Sequence, residues 1–189
     1  KILVFNYCYH GSVDETILTI EDGVPGPRPG NVGAPVDPTQ TTRVVEFNDV
    51  EALEEALEHE DVACVLAEPA LTNIGIVLPE PGYHDALRRR TRDHGTYLVI
   101  DETHTISSGL GGYTRVHSLR PDIFVVGKCV AGGLPTAVWG LTKDTAKRYH
   151  QADAQRERGR TGMGTTLSAN PMQFACLVAT LSQVMAPDN

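Results

Sequence analysis

Two apolar runs in this chain end in a charged residue: "LVI" leads into Asp101, and "IFVVG" leads into Lys128. A carboxylate at the end of a buried run needs a cationic or hydrogen-bonded partner, because an unpaired buried charge is strongly destabilising. An amine between an apolar strand and the glycine-rich "CVAGGLP" is expected to be desolvated. Desolvation disfavours an ammonium ion and turns the nitrogen into a usable nucleophile toward carbonyls. Each residue also has a plainer reading. A strand-end lysine can snorkel to solvent, and an aspartate can pair with a nearby arginine or cap a loop. The interval between them leaves room for one loop and a return strand.

One kind of ligand would satisfy both groups at once. A protonated pyridine nitrogen would neutralise Asp101, and an aldehyde on the same ring would engage Lys128. Such a ring is an electron sink for carbanions, the task of pyridoxal phosphate. The glycine-rich "GRTGMGTTLSANP", 159–171, offers backbone N–H groups and hydroxyls ahead of a helix, a composition suited to a phosphate. The same composition also suits a flexible surface loop.

The elements that must position these residues alternate along the chain. Strands are expected at 2–6, 43–47, 62–67, 96–100, 122–126 and 136–141, as continuous apolar runs covered on both faces. Between them "NDVEALEEALEHE" reads as a helix with Asn48 as N-cap and Glu51 completing a capping box, its Val50, Leu53 and Leu57 on one face. A second helix runs from Pro81 to Gly95. "NPMQFACLVATLSQVM" is apolar nearly all round and should be buried. The Pro- and Gly-rich segment 22–40 reads as a long excursion without an element of its own. The alternation predicts an α/β fold, three-layer α/β/α around a mostly parallel sheet. Ligands collect at the carboxyl ends of strands in such sheets, where Asp101 and Lys128 both fall.

Composition narrows the function classes. The 189 residues suit one domain, with 41% hydrophobic and 21% charged residues. A net charge of −8 argues against nucleic acid as a partner. The one basic cluster, "RRRTR" at 88–92, reads as a solvated helix face. Four scattered cysteines, Cys8, Cys64, Cys129 and Cys176, lack metal-binding spacing and read as buried thiols of a reducing compartment, the cytoplasm. No metal site and no membrane partner are expected. The opening "KILVFN" reads as the middle of a strand, so residues 1–189 are expected to be the central to C-terminal part of a larger cofactor-binding domain, with an N-terminal segment and a small C-terminal domain outside the chain.

The motifs "CYHGSVDETI", "FNDVEALEEAL", "AEPALTNIG" with "LPEPGYHDALR", "LVIDETHT", "PDIFVVGKCVAGGLP" and "GTTLSANP" follow one another along nearly the whole chain. In that order they resemble the class III aminotransferases of the fold-type I pyridoxal-phosphate enzymes, and within them the glutamate-1-semialdehyde aminomutase branch. The resemblance implies that Lys128 forms the Schiff base with pyridoxal 5'-phosphate and shuttles a proton, and that Asp101 pairs with the ring nitrogen. It implies that Tyr9 stacks on the ring, with His10 beside it in the cofactor-binding set. Glu68 and Asn73 match polar groups near the phenolic oxygen, and Thr166 matches a threonine reaching the phosphate held by the other subunit of a homodimer. The substrates implied are a small-molecule amino donor and a keto or aldehyde acceptor. The chain departs from the family at "DETHTISSG", where His104 is the novelty and the usual glycine and arginine are missing. His104 could hydrogen-bond Asp101, line the substrate side, or be a loop histidine. The reading is an aminotransferase; the alternatives are an intramolecular aminomutase, a non-catalytic binding or assembly module on the same fold, and a cofactor-free Schiff-base aldolase.

Overall fold

The computed structural model describes residues 1–31, 33, 37–155, 167–168 and 170–187. Its elements in chain order are β1 (Ile2–Phe5), β2 (Leu18–Glu21), β3 (Val24–Pro27), β4 (Thr42–Val45), α1 (Val50–Glu58), β5 (Cys64–Ala67) and α2 (Tyr83–Asp93). They continue with β6 (Tyr97–Asp101), α3 (Gly112–Val116), β7 (Ile123–Val126), β8 (Val138–Leu141), α4 (Lys143–Ala154) and α5 (Pro171–Ala179). Every run read as a strand joins one six-stranded sheet in the order β4-β1-β5-β6-β7-β8. Its pairings are parallel except for β7 with β8.

Side chains on a strand alternate between faces, so the complete burial of consecutive Leu3, Val4 and Phe5 means that β1 is covered on both sides. Leu53 and Leu57 of α1 and Leu87 of α2 join the same core, each burial stabilising by about 1.5–3 kcal/mol. Phe5, Phe47 and Tyr83 meet edge to face, with centroids 4.8–6.1 Å apart, and tie β1 to α2. The α/β architecture expected from the alternation is thus the one observed.

Several local expectations give way to tertiary packing. The N-cap of α1 is Asp49, whose carboxylate accepts from the Ala52 N–H at 2.8 Å. Asn48 takes a left-handed conformation and uses its side chain to bind Leu78 O and Glu80 N instead. The excursion at 22–40 contains β3, which pairs antiparallel with β2 as a hairpin. That hairpin is held by the buried Asn6, whose Oδ1 accepts from Thr19 Oγ1 and Ile20 N, both at 3.2 Å. Half of the basic cluster is internal wiring. Arg88 pairs with Asp122 at 2.6 Å and Arg90 with Glu54 at 3.0 Å, while Arg89 and Arg92 remain exposed.

The cysteines are unpaired, but only Cys8 is buried; Cys129 is exposed and the other two are half-buried. Helix α5 begins as read, with Asn170 accepting from Met172 N at 2.9 Å. It is not buried, however: Met172, Phe174 and Val178 are exposed, because no described residue of this chain covers that side.

The buried carboxylate next to Asp101 escaped the sequence reading. Glu102 has no exposed surface and accepts from Thr105 Oγ1 at 2.6 Å, from Tyr113 N at 3.2 Å and from Thr114 N. It thereby pins the start of α3 beneath the loop that follows β6. A Cβ on Gly112 would stand 2.9 Å from Glu102 Oε2, at a backbone φ of +71° that side chains rarely adopt. Glu102→Ala leaves these donors without an acceptor and is expected to lower stability by about 2–4 kcal/mol. Urea denaturation of the native full-length protein checks this, as a lower midpoint at unchanged slope.

Candidate active site

Four neighbouring parallel strands, β1, β5, β6 and β7, release the chain at the same edge of the sheet. Tyr9 and His10 follow β1, Glu68 follows β5, Asp101 is the last residue of β6, and Lys128 lies just past β7. All five line one cavity of about 530 Å³, together with Thr103, His104, Val125, Ala137 and neighbouring backbone. That volume falls in the range of small-ligand sites. A wider groove of about 580 Å³ lies elsewhere, between α2 and residues 117–120.

Asp101 is buried, and its two oxygens are engaged separately. Oδ2 meets His10 Nδ1 at 2.8 Å, and Oδ1 accepts from Thr103 N at 3.0 Å. Burial works against ionisation, but the His10 and Thr103 hydrogen bonds outweigh it and hold the carboxyl below the usual carboxylate range. Burial likewise disfavours the imidazolium of His10. The bond to Asp101 and the nearby Cys8 side chain outweigh it and push His10 up to about 9. The other ring nitrogen, His10 Nε2, is buried and has no hydrogen-bond partner among the described residues.

A second network crosses the same cavity. Glu68 is buried; its Oε1 accepts from Tyr9 N at 3.0 Å and its Oε2 from Thr72 Oγ1 at 2.8 Å. Thr72 Oγ1 lies 2.5 Å from His104 Nδ1, and His104 Nε2 lies 2.5 Å from Lys128 Nζ. Lys128 opens a single 3₁₀ turn with φ +53°, a left-handed conformation uncommon for a side-chain-bearing residue. Such a conformation persists only where the surroundings enforce it, which is common at functional sites.

The structure thus brings Tyr9, His10, Glu68, Asp101, His104 and Lys128 together. It does not bring Asn73, which is exposed on the loop after β5 and outside the cavity lining. The adjacent Thr72 makes the polar contact instead, a residue the sequence reading passed over because a threonine in a loop carries no distinctive signal. Lys128 itself is exposed, not desolvated, because the cavity opens to solvent around it. Asp101 takes its cation from His10 and not from an arginine. Thr166 lies outside the described residues. Among the described residues no cluster of His, Cys, Asp or Glu is arranged to hold a metal ion, and no helix is long and apolar enough to cross a membrane.

The sequence profile described as "Aminotransferase class-III" matches residues 1–188. The chain belongs to that family. Among curated class III relatives, the glutamate-1-semialdehyde 2,1-aminomutase of Desulfosudis oleivorans is 35% identical over 193 residues, covering 98% of this chain and 43% of its own length. A solved glutamate-1-semialdehyde-aminomutase from Pseudomonas aeruginosa PAO1 superposes with a TM-score of 0.88 at 47% identity, covering 99% of this chain and 42% of that one. A variant of it was solved in complex with PMP, with a TM-score of 0.88, 46% identity and the same coverage. An omega-transaminase from Sphaerobacter thermophilus superposes with a TM-score of 0.81 at 31% identity, covering 96% of this chain and 43% of that one. The class III chain described here therefore spans less than half the length of these relatives.

The His10–Asp101 pair makes stability depend on pH in two windows. The folded-state value of His10 lies above its unfolded value of 6.5, so its contribution is complete below pH 6.5 and fades as pH rises through about 9. Asp101 is shifted the other way, so its contribution is complete above its ordinary 3.8 and is lost as pH falls below that. Urea midpoints of the cofactor-free protein should fall between pH 6.5 and 9. In His10→Gln that fall should flatten.

Proposed function

We propose that this chain carries the reacting groups of a pyridoxal-phosphate-dependent aminotransferase, moving an amino group between an amino acid or amine and a keto or aldehyde acceptor. The observation that carries the reading is that Asp101, held ionised, and the Lys128 amine line one small-molecule-sized cavity. A rival aldolase that uses Lys128 alone gives no reason for a buried, ionised carboxylate in the same cavity.

The residues present fit the cofactor. An ionised carboxylate offers about four acceptor positions; among the described residues Asp101 uses Oδ2 for His10 and Oδ1 for the Thr103 N–H, with the Thr103 side chain also bonding it. Acceptor capacity is left for a ring N–H. Tyr9 offers an aromatic surface, and Val125 and Ala137 add apolar wall. Pyridoxal phosphate, when bound, supplies an aldehyde that condenses with amines and a ring that takes up the electron pair left by a departing proton.

The chain's own groups do the rest. Lys128 would hold the cofactor through its amine and, when free, would take the proton from the substrate carbon bearing the amino group. Such proton transfer by a positioned side chain is worth about 10²–10⁴ in rate. Asp101 would accept the ring N–H and keep that proton in place, while His10 keeps Asp101 ionised and aimed. Glu68, fixed by Tyr9 N and Thr72, presents a second carboxylate to the cavity wall.

Residues 1–189 then form part of a larger cofactor-binding domain, in keeping with the share of the relatives' length they span. We assign the enzyme to the cytoplasm, a reading supported by four unpaired cysteines. The exposed apolar residues of α5 and the half-exposed Trp139 support a homodimer that covers them. Intramolecular amino transfer is the second reading, favoured by the identity to aminomutases.

Lys128→Ala in the native full-length protein should abolish turnover and the pyridoxyl adduct trapped there by borohydride, read by peptide mapping. Substantial residual amino transfer would overturn the assignment. Turnover that needs no separate keto acceptor would mark the mutase.

A further inference from the structure

The polarity of the second hydrogen-bond network follows from the groups in it. An ionised carboxylate only accepts, so Glu68 takes the single hydroxyl proton of Thr72 through Oε2. Thr72 Oγ1, its proton spent, can only accept from His104, so His104 Nδ1 carries a hydrogen. In the neutral ring, Nε2 is then a bare lone pair, and it faces Lys128 Nζ at 2.5 Å. The tautomer is dictated from the carboxylate outward. This is the arrangement in which a base is oriented by a third group behind it and turned on the nucleophile.

We infer that His104 is the proton acceptor of Lys128, with Thr72 and Glu68 as positioning residues that hold its tautomer. The inference rests on Lys128 being the reacting amine, as proposed above. An ammonium nitrogen has no lone pair with which to attack a carbonyl. Transfer to His104 breaks one N–H bond on Nζ and forms one on Nε2; no electrons change hands, and the pair keeps a single positive charge. When the amine condenses with an aldehyde, a C–N bond forms as the C–O bond breaks, and the departing water takes this proton from His104 and a second hydrogen from Nζ. Glu68, at the far end of the relay, favours the positive ring. The other charged groups lining the cavity, Asp101 and His10, are already paired with each other. Inside this wiring, the histidine standing where the family pattern is broken acquires a role.

The test is the rate at which Lys128 captures pyridoxal phosphate, a readout separate from turnover. It is followed by visible absorbance near neutral pH in the cofactor-stripped full-length protein, with borohydride trapping and peptide mapping to identify the lysine. His104→Ala should slow capture about tenfold or more, and added imidazole should restore part of the rate in proportion to its concentration. Thr72→Val, which keeps the shape but removes the hydroxyl, should slow capture in the same direction by a smaller factor. Capture at the parental rate in both variants would overturn the inference. So would slowed capture in His104→Ala that imidazole leaves unmoved, since that marks a purely structural role. Failure of the parental protein to capture the cofactor at Lys128 would instead overturn the functional reading beneath it.

Discussion

Parallel pairing of four adjacent strands is the constraint on which the site depends. Because β1, β5, β6 and β7 run the same way and are neighbours in the sheet, whatever follows each of them emerges at one edge. The register sets Ala67 beside Ile100 and Asp101 beside Val125, so Glu68, Asp101 and Lys128 leave the ladder within a few residues of one another. Inside the sheet a charge would meet only covered, apolar surroundings. At the carboxyl edge the ladder ends and polar side chains find loop N–H groups, other side chains or a ligand. The apolar runs and the polar residues that close them are two halves of one arrangement.

At that edge the two networks act in different senses. His10 and Asp101 form a closed ion pair, each holding the other in its charged form. The Glu68–Thr72–His104–Lys128 chain runs from a buried carboxylate to an amine at the exposed end of the cavity. A buried pair of the first kind keeps a carboxylate ionised whether or not a ligand is present. A chain of the second kind carries direction, since each donor is decided by the acceptor behind it. The left-handed backbone at Lys128 adds local strain of order 1–3 kcal/mol. The 3₁₀ turn it opens is braced by α5 and by Thr180 just past it, which Gly132 approaches so closely that a Cβ would lie 3.1 Å from Thr180 Oγ1.

The differences between reading and structure have a common cause. Asn48 and Asp49 are both good caps, and the winner was decided by what lay opposite: Asn48 was claimed by the backbone at 78–80, which left Asp49 to close the helix. Asn73 carries a more conspicuous side chain than Thr72, yet the loop after β5 turns Asn73 to solvent and Thr72 toward His104. Arg88 and Arg90 belong to a basic run by composition, but each met a carboxylate from another element. The apolar character of α5 was plain in its residues, although the described residues around it leave much of it open.

Periodicity and the chemistry of individual residues were enough, from the sequence alone, for the α/β class, the six sheet strands, the positions of α1, α2 and α5 but not of α4, and the placement of Asp101 and Lys128 at strand ends. These depend on local pattern, in which apolar runs, caps and breakers sit next to what they control. Tertiary structure alone decided that His10 is the partner of Asp101, that Thr72 links Glu68 to His104, and that Glu102 anchors the loop beside them. The two that join the networks to other strands, His10 with Asp101 and Thr72 with His104, span 91 and 32 positions of the chain, and a hydrogen bond reaches only about 3 Å. Which donor meets which acceptor is therefore settled by strand order and register, a property of the folded sheet that no local stretch of sequence contains.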